Sequence, residues 1–147
     1  MIELYTEAEK AYLAGLFDGE GSISIYKGSK KRRKNHTLWL DITNTNYDVI
    51  DWCKKTFRMG SIRHRKEQKP NRKSYFRWLV SAAQAENVLC KILPYLIIKK
   101  ERAEVALKFR ALNKPKLGRK LTTQEIQERE DFRFLMKKLN RKGKEII

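Results

Sequence analysis

Twice along this chain a run of apolar residues at helical spacing gives way to two segments that alternate apolar and polar residues. This doubled unit restricts the fold to helices packed on an antiparallel sheet, an α+β class. Thr6 with Glu9 makes a capping box ahead of a first helix reaching to about Asp18. Ile23 and Ile25 then alternate with Ser22, Ser24 and Tyr26, and Leu38, Leu40 and Ile42 alternate with Trp39, Asp41 and Thr43. The basic loop KGSKKRRKNH joins these two strands. In the second unit, Thr45 with Asp48 starts a helix, and Ile50, Cys53 and Phe57 recur at helical spacing as far as Gly60. Arg63 and Arg65 alternate with Ile62 and His64, and after a turn at Pro70 and Asn71 a strand sets Phe76, Trp78 and Val80 opposite Tyr75, Arg77 and Leu79. A third helix with Ala85, Val88, Leu89 and Ile92 ends before Pro94, and a fourth with Val105, Phe109 and Leu112 ends before Pro115. Thr122 with Glu125 caps a last helix carrying Phe132, Leu135, Met136 and Leu139. The pattern predicts one domain over 1–147, with a core at 1–114 and a C-terminal helix and basic tail at 119–147.

Charge narrows the function. The 34 Lys and Arg against 17 Asp and Glu give a formal charge of +17, where solubility asks for a magnitude of only ~2 to 8. Such an excess points to a polyanionic partner. At 41% hydrophobic and 10% aromatic residues the chain is too apolar for a basic disordered tail. The longest apolar stretch, Ile92 to Ile98, contains Pro94 and is far shorter than the ~20 residues of a membrane span, so no membrane partner is expected. The N-terminus MIELYTEAEK carries no secretory pattern, which predicts an intracellular location. Cys53 and Cys90, with only His36 and His64 beside them in composition, offer neither a zinc site nor a disulfide framework and read as small buried hydrophobes.

The positive charge is clustered. Residues 27–36 hold six Lys or Arg and no acid, and residues 58–77 hold eight, with Glu67 the one acid among them. If helices cover one face of the sheet, Ser24, Tyr26, Asp41, Arg63, Arg65, Tyr75 and Arg77 project from the other. A two-stranded ribbon fits the major groove of double-stranded DNA, where Arg can read guanine. Lys27, Lys30, Lys31, Arg32, Arg33, Lys66 and Lys73 would add contacts near the hairpin tips.

Residues 13–21, LAGLFDGEG, carry a second chemistry. Asp18 and Glu20 stand at the C-terminal end of the first helix, where the macrodipole disfavours negative charge by ~0.3 to 1 kcal/mol each. The same helix sets Ala8, Ala11, Gly15 and Gly19 in one small-residue stripe, and each Gly costs ~1 kcal/mol against Ala, a loss that close approach of a second backbone would explain. A symmetric dimer through that stripe would bring two copies of Glu20 together, and a divalent cation relieves the repulsion. Carboxylate and phosphate oxygens suit Mg²⁺. The residues thus read as a metal-dependent nuclease.

LAGLFDGEG resembles the signature of the LAGLIDADG homing endonucleases, identical at Leu13, Ala14, Gly15, Leu16, Asp18 and Gly21. The resemblance implies an αββαββα fold whose antiparallel sheet forms a DNA-binding saddle. It further implies Mg²⁺ held by Glu20 and Gly19, with Lys99 as active-site lysine, Lys100 as its adjacent rival, and Asn44 ordering solvent. A single motif copy implies a homodimer meeting through Ala11, Tyr12, Gly15, Asp18 and Gly19. The implied activity is site-specific double-strand cleavage at a long, near-palindromic DNA target, with the gene borne on an intron. An RNA maturase, or a DNA-binding regulator of the same fold without cleavage, is the alternative.

Overall fold

The computed structural model describes residues 4–28, 35–114 and 119–142. The Thr6–Glu9 capping box forms, the hydroxyl accepting from the Glu9 N–H at 3.0 Å and the Glu9 carboxylate accepting from the Thr6 N–H at 2.9 Å. It opens α1 (Glu7–Glu20), which runs straight into β1 (Gly21–Lys27) and β2 (His36–Asn44). The second unit is α2 (Tyr47–Phe57), β3 (Ser61–Arg65) and β4 (Tyr75–Ser81). Then follow α3 (Ala82–Ile92), a 3-10 turn (Leu93–Tyr95), α4 (Lys100–Leu112) and α5 (Thr123–Lys142). The four strands form one antiparallel sheet in the order β1-β2-β4-β3, so the two hairpins meet through their second strands.

Strict alternation decides which face is covered. Ile23, Ile25, Leu38, Leu40, Ile42, Trp78 and Val80 are all buried and pack against Leu13, Ala14 and Phe17 of α1, Ile50, Cys53 and Phe57 of α2, and Ala85, Val88 and Leu89 of α3. The turn into β3 needs glycine, because Gly60 has φ 84° and a Cβ there would lie 2.5 Å from the Leu79 carbonyl oxygen.

Two sequence expectations are corrected. Helix α2 is capped by Asn46 rather than Thr45, since the Asn46 amide oxygen accepts from the Val49 N–H at 3.1 Å. Cys90 is exposed, because it falls off the Ala85–Val88–Leu89–Ile92 stripe of α3. Cys53 is buried, which pushes its thiol up to about 12. Helix α4 begins five residues ahead of its first large apolar residue, Val105, with no local side-chain cap.

Polar bonds across long sequence separations dock α5. Arg129, 1% exposed, donates to Asn113 Oδ1 at 2.9 Å and to the Leu112 carbonyl at the end of α4 at 3.1 Å, where the helix dipole welcomes a cation. Asn140 donates to the Ile23 carbonyl of edge strand β1 at 2.9 Å. Glu130 meets His36 Nε2 at 2.6 Å and Arg133 Nε at 2.8 Å. Arg133 first, and His36 after it, hold the Glu130 carboxyl down at about 2 against the cost of burial. A depressed carboxylate contributes its stability above the ordinary range near 4.5 and loses it as pH falls to about 2. Glu130→Gln is therefore expected to cost about 1–2 kcal/mol in urea titrations at pH 7. The gap from the parent should close as the pH is brought down to about 2; an equal gap at both ends would show that Glu130 acts through packing alone.

Candidate active site and nucleic-acid interface

Helix α1 has two faces. Lys10, Leu13, Ala14, Phe17 and Asp18 are buried within the chain, whereas Ala8, Ala11, Tyr12, Gly15, Gly19 and Glu20 are exposed. A Cβ built on Gly15 or Gly19 meets nothing within 4 Å, so no neighbour inside the described chain accounts for either glycine. Gly21 is different. Its Cβ would fall 2.3 Å from the buried Phe17 ring, so this glycine lets α1 turn directly into β1 with Glu20 at the joint. A groove of about 690 Å³ flanks the exposed face of α1 and is lined by Tyr12, Leu16, Asn44, Val49 and Trp52.

Asp18 resolves the electrostatic oddity of an acid at a helix C-terminus. Its carboxylate accepts from the Ile97 N–H at 2.9 Å and from the Lys99 N–H at 3.0 Å. Lys99 is the N-cap of α4, so the charge disfavoured by the α1 dipole sits against the favourable end of the α4 dipole. This is the cap that α4 lacks locally. Asp18, which the resemblance sets at a dimer interface, has its carboxylate buried and bonded within its own chain.

The same contact fixes Lys99, whose Nζ donates to the Asp18 carbonyl at 2.6 Å. Burial, and next Arg102, pull the Lys99 ammonium below the usual lysine range, with Asp18 and Glu20 opposing them. Glu20 is close enough to act on Lys99 electrostatically, and among the described residues no hydrogen bond or ion pair engages its carboxylate. The structure thus brings Asp18, Lys99 and Glu20 together where α1 ends and α4 begins. Lys100 is exposed on the first turn of α4. Asn44 stands at the end of β2, and its amide oxygen accepts from the Asn46 N–H at 2.8 Å, a turn role beside the cap of α2. Among the described residues no three His, Cys, Asp or Glu side chains converge as a metal site.

The uncovered face of the sheet is basic and polar. Register sets Ser22 opposite Asp41, Ser24 opposite Trp39, Thr43 opposite Arg77, Arg63 opposite Arg77 and Arg65 opposite Tyr75, all on the side away from the core. Tyr26 is exposed at the β1 end of this face. Lys66 and Lys73 are exposed in the connection between β3 and β4. Lys27 is exposed at the end of β1, shares the parity of Ile23 and Ile25, and its charge acts on Glu130. Lys30, Lys31, Arg32 and Arg33 lie outside the described residues. Sequence reasoning missed the long-range cap by Asp18 and the ion pair of Asp41 with Arg77, whose Nε lies 3.1 Å from Asp41 Oδ2. The like-charged pair Arg63 and Arg77, opposed once register is assigned, was the signal for the latter.

Residues 13–111 match the family model described as LAGLIDADG endonuclease. No curated protein matches the chain. Among solved structures, the archaeal intron-encoded homing endonuclease I-Vdi141I complexed with DNA superposes with a TM-score of 0.73 at 18% identity, over 90% of this chain and 84% of that one. The homing endonuclease I-CvuI in complex with its target and 2 mM Ca gives 0.63 at 19% identity, over 90% and 95% of the two chains. The meganuclease I-SmaMI bound to uncleaveable DNA gives 0.69 at 19% identity, where 94% of this chain covers 48% of that one. These likenesses share the fold.

Proposed function

The chain belongs to the LAGLIDADG endonuclease family, and from that premise we propose that it is a site-specific, Mg²⁺-dependent endonuclease of double-stranded DNA, acting as a homodimer and borne on an intron. The observation that carries the reading is the position of Glu20. It is an exposed carboxylate at the joint of α1 and β1, between the uncovered glycine stripe of α1 and the basic sheet face, with Lys99 beside it. DNA lying on the sheet would place its backbone at that joint.

The donor set fits a hard, oxygen-seeking cation in part. One carboxylate, with the Gly19 carbonyl as its neighbour, supplies too few ligands for an octahedral ion, and a second copy across α1 together with phosphate oxygens would complete the shell. Mg²⁺, when bound, supplies electrostatic stabilisation of the charge that develops on the phosphate. Glu20 would hold the ion and position it against the scissile phosphate. Lys99 would stabilise the charge on the pentavalent phosphorus through its ammonium, and ordered solvent beside it would take the proton of the attacking water and return one to the leaving oxygen. Asp18 would keep Lys99 in place. Asn44 would turn its amide N–H₂ toward solvent while its oxygen serves the turn.

Arg63, Arg65 and Tyr75 would face base edges, with Ser24 and Tyr26 on the β1 side, and Lys66 and Lys73 would meet phosphates. Two-fold symmetry implies a near-palindromic target on the order of 20 base pairs, one helical turn per half-site. The test is incubation of the protein with a plasmid carrying the joined sequence from either side of the gene. A linear product with Mg²⁺ and none with EDTA is expected. DNA retained but uncut under both conditions would overturn the endonuclease reading in favour of a binding protein.

A further inference from the structure

The uncovered sheet face carries one acid among its described residues, and a carboxylate facing DNA is unfavourable unless it has another task. Asp41 is that acid, at the centre of the face on β2. Its Oδ1 accepts from the Ser22 hydroxyl on β1, and its Oδ2 forms an ion pair with Arg77, 3.1 Å from Nε. The Nε–H itself donates to Thr43 Oγ1, directly across from Arg77, at 3.3 Å. The Asp41 side chain is 19% exposed and that of Arg77 is 42% exposed, so the acid lies low in the sheet and the guanidinium stands above it.

From this geometry we infer that Arg77 is a guanine-reading, specificity-determining residue and that Asp41 is its positioning residue, which touches no base itself. The inference rests on the DNA-binding reading above. With Nε hydrogen-bonded to Thr43 and held against the Asp41 carboxylate by the ion pair, the guanidinium turns its terminal Nη pair outward. Two N–H groups side by side match the O6 and N7 acceptors of guanine in the major groove, and no other base presents that pair. A phosphate could also take the fork, but phosphate contact needs no fixed direction, and three side chains from β1 and β2 are spent on fixing one. Arg63, directly opposite on β3, repels Arg77 across the strands. An Arg77 left to itself would swing away from that neighbour, so Asp41 is what keeps the fork over a single base pair.

Selection from a pool of randomised duplexes, with bound fragments sequenced, tests this on the full chain. The parent protein should select guanine at one position in each half-site. Arg77→Lys keeps the charge and loses the fork, and should weaken the guanine preference there about 10-fold while leaving the other positions intact. Asp41→Asn should do the same although it removes a negative charge and so tightens binding to random DNA. Thr43→Val should have a smaller effect in the same direction. Circular dichroism melts check that each variant folds. A motif from the parent that Asp41→Asn and Arg77→Lys leave unchanged would overturn the inference and leave the DNA-binding reading standing. No selected motif from the parent at all would overturn the reading itself.

Discussion

Glu20→Gln is expected to lower DNA cleavage by about 10³-fold or more, equivalent to about 4 kcal/mol of lost transition-state stabilisation, while binding to the same DNA is kept or slightly tightened. The substitution preserves shape and removes only the charge. Glu20 is exposed and, among the described residues, no hydrogen bond or ion pair holds it, so the melting curve should move by no more than ~0.5 kcal/mol. Asp18→Asn supplies the contrast. It weakens the cap of α4 and the backbone N–H bonds of Ile97 and Lys99, so it should cost about 1–3 kcal/mol of stability and lose activity as a consequence. Cleavage measured on a supercoiled plasmid, alongside gel-shift binding and urea titration, separates the two acids. If Glu20→Gln still cuts, or if it loses binding as steeply as cleavage, the chemistry lies elsewhere.

What the sequence made legible was whatever short-range periodicity controls. The period-two alternation of 22–27, 38–43 and 75–80 assigns each side chain to a face before any coordinates are known, and the registers agree with it. Both capping boxes, Thr6 with Glu9 and Thr122 with Glu125, form as the spacing requires. The cap at Asn46 was misplaced by one residue, because neighbouring Asn and Thr side chains compete for the same backbone donors and only geometry decides between them.

What stayed hidden depends on residues far apart along the chain. Asp18 caps a helix that begins 82 positions later, at Lys100, and nothing in the local pattern names that partner. His36 carried no signal of its own, yet it is buried against Glu130 from α5. Asp41 looked like one more contact in a row of outward residues; its distance to Arg77 turns it into a support for a neighbour. Tertiary bonds of this kind reassign the polar residues while leaving the apolar ones where periodicity put them.

Gly15→Leu should separate the subunit seam from the fold. Within one chain the glycine has no evident purpose: a Cβ there meets nothing within 4 Å, and Gly costs a helix interior ~1 kcal/mol relative to better formers. The isolated domain should therefore melt at the same temperature or a few degrees higher when Leu replaces it. In the proposed dimer the same stripe of α1 meets its own copy, so each added side chain enters the seam twice by symmetry. At ~1–3 kcal/mol of overpacking for each, the dissociation constant should rise by about 30-fold or more. Sedimentation of the parent at micromolar concentration is expected to give twice the mass of one chain, and Gly15→Leu the mass of one. The variant should bind a half-site, fail to cut a full target, and lose less affinity on a half-site duplex than on the intact one. A parent that sediments as a single chain on its DNA, or a Gly15→Leu variant that remains paired and cleaves, would mean that the exposed glycines of α1 serve something other than the approach of a second helix, and would leave Glu20 without the partner carboxylate its chemistry needs.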